Sequence, residues 1–136
     1  MAVVGVGIDL VDLQRVERLI SQHEDIFRQR ILGESEREEV PLGCARNVRV
    51  RAYACLIAAK EALLKALGTG LAAGMRWPDV EVRGRTGPTP RLAVSGETGR
   101  VLAGFEADDV QLSLSSVSSQ AMALVVLSRR TKEICL

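Results

Sequence analysis

The chain reads as an α+β protein, on three observations. It opens on an apolar, β-branched run. Its middle holds one long stretch of helical periodicity that ends in glycine. Its second half carries short alternating runs separated by turn residues. Strands and helices are interspersed without a regular βαβ rhythm, so α+β fits better than a doubly wound sheet.

Residues 2–8, "AVVGVGI", are apolar and bounded by Asp9, which predicts a buried strand. Asp12 is placed to cap a helix that runs to about Ser21, with Leu13, Val16, Leu19 and Ile20 at helical spacing. The stretch 24–43 holds one or two short helices, with Ile26, Phe27, Arg30 and Ile31 on one side and Pro41 and Gly43 as breakers. A long helix spans about 46–67, with Gly68 past its end. Residues 68–78 form a long loop. Residues 79–83 and 91–95 read as strands joined by the turn-rich "GRTGPTP". A short helix, "ETGRVLAGF", precedes two further strands, "DVQLSLSS" and "QAMALVVLS". The last residues are polar and expected to fray.

A chain of 136 residues is one domain, 1–136, by size, and long enough to bury a core without staples. Aromatic residues make up 3%, which argues against a surface built to stack bases. A net charge of +1 gives no bulk attraction to nucleic acid or membrane, so a bound anion must be held by local charge. Cys44, Cys55 and Cys135 match no zinc or redox spacing and read as reduced thiols of a cytoplasmic protein. The N-terminus has no basic residues before its apolar run and is not read as a signal peptide. No apolar run approaches the roughly 20 residues of a membrane span.

The candidate sites begin in the long helix. At about 100° per residue, Glu61 lies about 40° from Ile57 and Lys65 and about 20° from Ala54. It emerges from a stripe of small alanines that lets another backbone come close. One reading is an i, i+4 pair of Glu61 with Lys65; the other is a metal ligand beside a phosphate-binding lysine. Asp9 either caps a turn or presents a carboxylate where an ion can be shared with Glu61. "GVG" is not a dinucleotide loop, since Leu10 stands where the third glycine would fall. In "DVQLSLSS", Val110, Leu112 and Leu114 point one way; Gln111, Ser113 and Ser115 point the other. That pattern is either a half-exposed strand or a row of neutral hydrogen-bonding groups facing a ligand. His23, the only histidine, reads as a surface residue.

"GVGIDLVDLQRV", "FRQRILGESE", "IAAKEALLKALGTG", "WPDVEV" and "VQLSLSS…AMALVVL" together resemble the small holo-(acyl-carrier-protein) synthases, which are 4′-phosphopantetheinyl transferases. The resemblance spans about residues 3–128, and "KEALLKALG" is its specific part. It implies one long central helix packed on an antiparallel sheet, and a homotrimer with sites at subunit interfaces. It implies transfer of 4′-phosphopantetheine from coenzyme A to a serine of an apo acyl carrier protein of fatty acid or polyketide biosynthesis, with release of adenosine 3′,5′-bisphosphate. By residue matching, Asp9 and Glu61 hold Mg²⁺ and Lys65 balances phosphate charge. Lys60, Gly68, Gln111 and Ser113 join the coenzyme A site, and Arg15 meets the acidic carrier. Arg30 and Glu36 match a further segment without an assigned role. The serine proton goes to a metal-associated water or to Glu61. The chain departs from the family at Gln111 and Ser116, where histidines are usual, at Leu56, where an arginine is usual, and at Ile57, where an aromatic is usual. The alternative reading is a relative that binds carrier or coenzyme A without turnover.

Overall fold

The structure, a computed structural model, describes residues 1–131. The C-terminal stretch expected to fray, and Cys135, lie outside the described residues. In chain order the elements are β1 (Ala2–Asp12), α1 (Leu13–Ile31), α2 (Glu34–Glu39), α3 (Arg46–Leu67), a 3-10 turn (Trp77–Asp79), β2 (Val80–Arg83), β3 (Arg91–Val94), α4 (Gly96–Gly104), β4 (Asp109–Ser116) and β5 (Gln120–Arg129). The strands form an antiparallel three-stranded sheet, β1-β5-β4, and a separate antiparallel pair, β2-β3.

Two elements run longer than their sequence signals. β1 continues to Asp12, so Asp9 lies within the strand, opposite Ala123 of β5, rather than just past its end. The alternation past Ile8 carries the strand on: Val11 is buried while Leu10 and Asp12 are exposed. Asp12 still caps α1, its side chain accepting a hydrogen bond from the Gln14 N–H at 2.8 Å. α1 then runs on through a kink at His23 (φ −137°, ψ 30°) instead of stopping near Ser21. Beyond the kink the apolar face resumes, and Phe27 buries its ring 4.8 Å from that of Tyr53.

α3 covers the inner face of the sheet. Its 22 residues end at Gly68, whose left-handed φ of 72° suits a residue without a Cβ. Ala54, Ala58, Ala59 and Ala62 are fully buried. The two glycines of "GVG" explain how close the helix comes. A Cβ on Gly7 would stand 1.8 Å from the Ala62 carbonyl oxygen, and one on Gly5 2.4 Å from that of Ala66. These glycines seat a helix backbone against a strand.

The sheet therefore has two unlike faces. The inner face, including Ala121, Ala123, Val125 and Leu127, is fully buried under α3. The outer face leaves Val6, Ile8 and Leu10 of β1 exposed at 56%, 54% and 56%, beside Met122 and Leu124 of β5. No described helix is long and apolar enough to cross a membrane. Cys44 and Cys55 are free thiols.

Candidate active site

β1 and α3 bring together the two carboxylates that the sequence singles out. Asp9 lies on the inner face of the sheet and Glu61 is half-buried on α3. Both line one cleft of about 660 Å³, with Arg15 of α1 on the same wall. Burial raises the Glu61 pKa, the negative charge of Asp9 raises it further, and Lys65 and Arg15 partly offset both. The Asp9 charge thus disfavours ionisation of Glu61, a penalty that a nearby cation relieves.

Lys65 takes the other side of Asp9. Its ammonium donates to Asp9 Oδ1 at 2.9 Å and to the Ile8 carbonyl at 3.0 Å. Lys65 is thus paired with Asp9 across elements, and the i, i+4 pair with Glu61 is not formed. Its side chain is 54% exposed, against 15% for Asp9, so the ammonium reaches solvent. The Asp9 hydrogen bond holds the Lys65 pKa above its ordinary value.

Lys60 is a correction. It does not reach the cleft and lines no surface for a coenzyme, because its side chain is fully buried. Its ammonium donates to Glu36 Oε1 at 2.6 Å, to the Trp77 carbonyl at 3.2 Å and to the Val80 carbonyl. The helical position explains why: Leu56, Leu63 and Leu64, its i−4, i+3 and i+4 neighbours, are all buried. Glu36, left without a role by the sequence reading, is the anion of that pair.

The remaining residues scatter. Gly68 is exposed at the end of α3, about 10 Å along the axis from Glu61. Gln111 and Ser113 are exposed on the outer face of β4, aligned with Val6 and Ile8 through β5. They therefore point away from Asp9, and one chain does not bring them to the cleft. Leu56 is fully buried, so its side chain belongs to the core and not to the cleft wall. Ser116 accepts a hydrogen bond from Arg51 at 3.2 Å. His23 is exposed, and it also reaches the rim of the cleft. Sequence reasoning missed Trp77 and Phe27 as walls of the cleft. "WP" reads as loop, and only the packing of the 3-10 turn against α1 turns that tryptophan inward.

Among the described residues no group of three or more His, Cys, Asp or Glu gathers as a metal cage. That fits Mg²⁺, which takes one or two carboxylates and completes its octahedron with water and substrate phosphate. Asp9 and Glu61, two carboxylates on one cleft, are the residues that would hold such an ion.

The family model described as the 4′-phosphopantetheinyl transferase superfamily matches residues 5–125. The chain belongs to that superfamily. Relatives within it include holo-[acyl-carrier-protein] synthases. That of Acidithiobacillus ferrooxidans is 39% identical over 129 residues, covering 93% of this chain and 98% of the relative. That of Alkalilimnicola ehrlichii is 40% identical over 125 residues, covering 92% and 96%. The crystal structure of the Bacillus anthracis synthase, in complex with coenzyme A (3′,5′-ADP), superimposes with a TM-score of 0.75 at 36% identity over 94% of this chain and 98% of that one. The Neisseria meningitidis synthase gives 0.82 at 29% identity over 94% and 100%.

Proposed function

We infer that this enzyme transfers 4′-phosphopantetheine from coenzyme A to a serine hydroxyl of an apo acyl carrier protein. The observation that carries the reading is the meeting of Asp9 and Glu61 in one cleft, next to cationic Lys65 and Arg15. Phosphoryl transfer asks a protein for alignment and charge neutralisation more than for covalent help. Asp9 and Glu61 would hold Mg²⁺, which would supply Lewis-acid neutralisation of a diphosphate.

The serine oxygen forms a bond to the phosphorus on the pantetheine side, and the bond from that phosphorus to the bridging oxygen breaks. Adenosine 3′,5′-bisphosphate leaves with the electron pair. The serine proton would go to Glu61 or to a water beside it; in the ion-free site, burial and then the Asp9 charge raise the Glu61 pKa. Lys65, solvent-exposed and tethered to Asp9, neutralises phosphate charge. Arg15, with Arg18 one helical turn further on, presents positive charge from α1 to an acidic carrier.

The enzyme works in the cytoplasm as a homotrimer. The exposed apolar outer face of the sheet supports assembly, since it offers Val6, Ile8 and Leu10 in one row. Assembly also gives Gln111 and Ser113 a use: they point away from their own cleft and can serve a neighbour's. The neutral Gln111 amide can donate to a phosphate oxygen but carries no charge. Gln111→His should therefore tighten coenzyme A binding; unchanged or weaker affinity would remove Gln111 from the site.

The test is to incubate the protein with coenzyme A, Mg²⁺ and an apo carrier protein and to weigh the carrier. The expected result is a mass gain of one phosphopantetheine that requires Mg²⁺. Coenzyme A binding without transfer to any of several carriers would make the chain a non-catalytic binding relative instead.

A further inference from the structure

We propose that the buried Lys60–Glu36 pair is a positioning device, which fixes catalytic Glu61 and the cleft wall at Trp77 relative to each other. The proposal rests on the transferase reading above for its kinetic arm only.

The pair is a closed network. All three Lys60 donors are used, on Glu36 Oε1, the Trp77 carbonyl and the Val80 carbonyl. Glu36 accepts in addition from the Gly33 N–H through Oε1 and the Val82 N–H through Oε2, both at 2.9 Å. One buried charge pair thus ties the start of α2, the middle of α3, the 3-10 turn and β2 to a single point. Both side chains are fully buried.

Its place is what makes it functional. Lys60 immediately precedes Glu61, so whatever fixes the rotation and height of α3 at Lys60 fixes the Glu61 carboxylate. The Trp77 carbonyl is bonded to Lys60 while Trp77 lines the cleft that Glu61 lines. The rest of the α3 seat is apolar, with buried leucines beside Lys60 and alanine against glycine on the sheet side. Those contacts are close but not directional, whereas hydrogen bonds are. A buried ion pair is a poor stabiliser compared with apolar side chains of the same volume, so its worth here is geometric.

Trp77 is the sole tryptophan and reports on the device directly. Lys60→Met is compared with Val50→Ala, a core deletion about 15 Å up α3 that controls for lost stability alone. Both are measured at a temperature where circular dichroism shows them folded. Lys60→Met should red-shift the Trp77 emission, lower its anisotropy and reduce kcat at least tenfold, with KM for carrier changed less than threefold. Val50→Ala should keep wild-type emission and kcat within threefold. Should Lys60→Met fail to fold, the double variant Lys60→Met/Glu36→Leu, which leaves no orphaned charge, takes its place with the same criteria. Wild-type emission, together with kcat no lower than that of Val50→Ala, in whichever folded variant is used, overturns the proposal. If the wild type itself transfers nothing, the transferase reading fails, and the Trp77 emission and anisotropy still decide whether the pair positions that wall.

Discussion

Lys60 and Lys65 sit five residues apart on the same helix, and each is paired with one carboxylate, at 2.6 and 2.9 Å. The Lys60–Glu36 pair is sealed; the Lys65–Asp9 pair keeps its lysine in solvent. The difference separates two kinds of work. A sealed pair has lost its water and must stay intact, because either partner alone is a buried uncompensated charge. An open pair contributes little to folding, yet its lysine can exchange Asp9 for a phosphate. On the proposed reading Asp9 and Glu61 form the acidic side of an exchangeable site, while Glu36 is acidic only as scaffold.

The largest effect that would sharpen this contrast is at the open site. Glu61→Gln keeps the size of the side chain and removes its charge and basicity, so carrier modification should fall about 10³-fold, on the scale of losing one preorganised charged group. The protein should still fold. Normal turnover by Glu61→Gln would undo the assignment of Glu61 as ligand. At the sealed site the large effect is on stability. Lys60→Met should cost about 3–5 kcal/mol in denaturant unfolding, the range for orphaning one partner of a buried pair. Lys65→Met should leave the unfolding midpoint unchanged within error while weakening coenzyme A binding. If the two lysine variants lost equal stability, the distinction between sealed and open pairs would be wrong.

The sequence made α3 and the Asp12 cap readable, because periodicity and capping are local. It also named Asp9, Glu61 and Arg15, which line one cleft, and Lys65, which pairs with Asp9. It placed Lys60 wrongly, although a signal was present: Leu56, Leu63 and Leu64 surround it at helical spacing, whereas Lys65 has Glu61 and Gly68 at the same offsets. The end of β1 was hidden because Asp9 breaks an apolar run while still obeying the alternation. The direction of Gln111 and Ser113 was hidden for a different reason. Alternation tells which residues share a face, and only the β1-β5-β4 order tells that their face lies opposite Asp9.

That second contrast, between the two faces of the sheet, can also be broken. Ile8 and Leu124 are cross-strand partners on the outer face, exposed at 54% and 37%. A charge there costs the lone chain little but is intolerable once the face is covered. Ile8→Asp should therefore shift the native mass from trimer to monomer without loss of helical signal. It should also abolish transfer if Gln111 and Ser113 serve a neighbour's cleft. A monomeric wild type, or a trimeric and active Ile8→Asp, would remove the outer face from the assembly.

The smallest expected effect concerns the cost of keeping Glu61 ionised. Its pKa is raised in the fold, first by burial and then by Asp9. Between the ordinary glutamate value and that raised value, the folded protein binds more protons than the unfolded chain. Stability attributable to Glu61 is therefore greatest below its unfolded pKa, and it falls as pH rises through the window. At neutral pH the ionised carboxylate is a penalty that Glu61→Gln relieves. The variant should be slightly more stable than the wild type near pH 7, and the gap should close in acid as the native Glu61 takes up its proton. Mg²⁺ should close the same gap at pH 7 by stabilising the wild type and not the variant. A Glu61→Gln protein less stable than the wild type at neutral pH would mean that Glu61 is held by favourable contacts, and that the acid pair is a structural feature rather than a strained niche awaiting a cation.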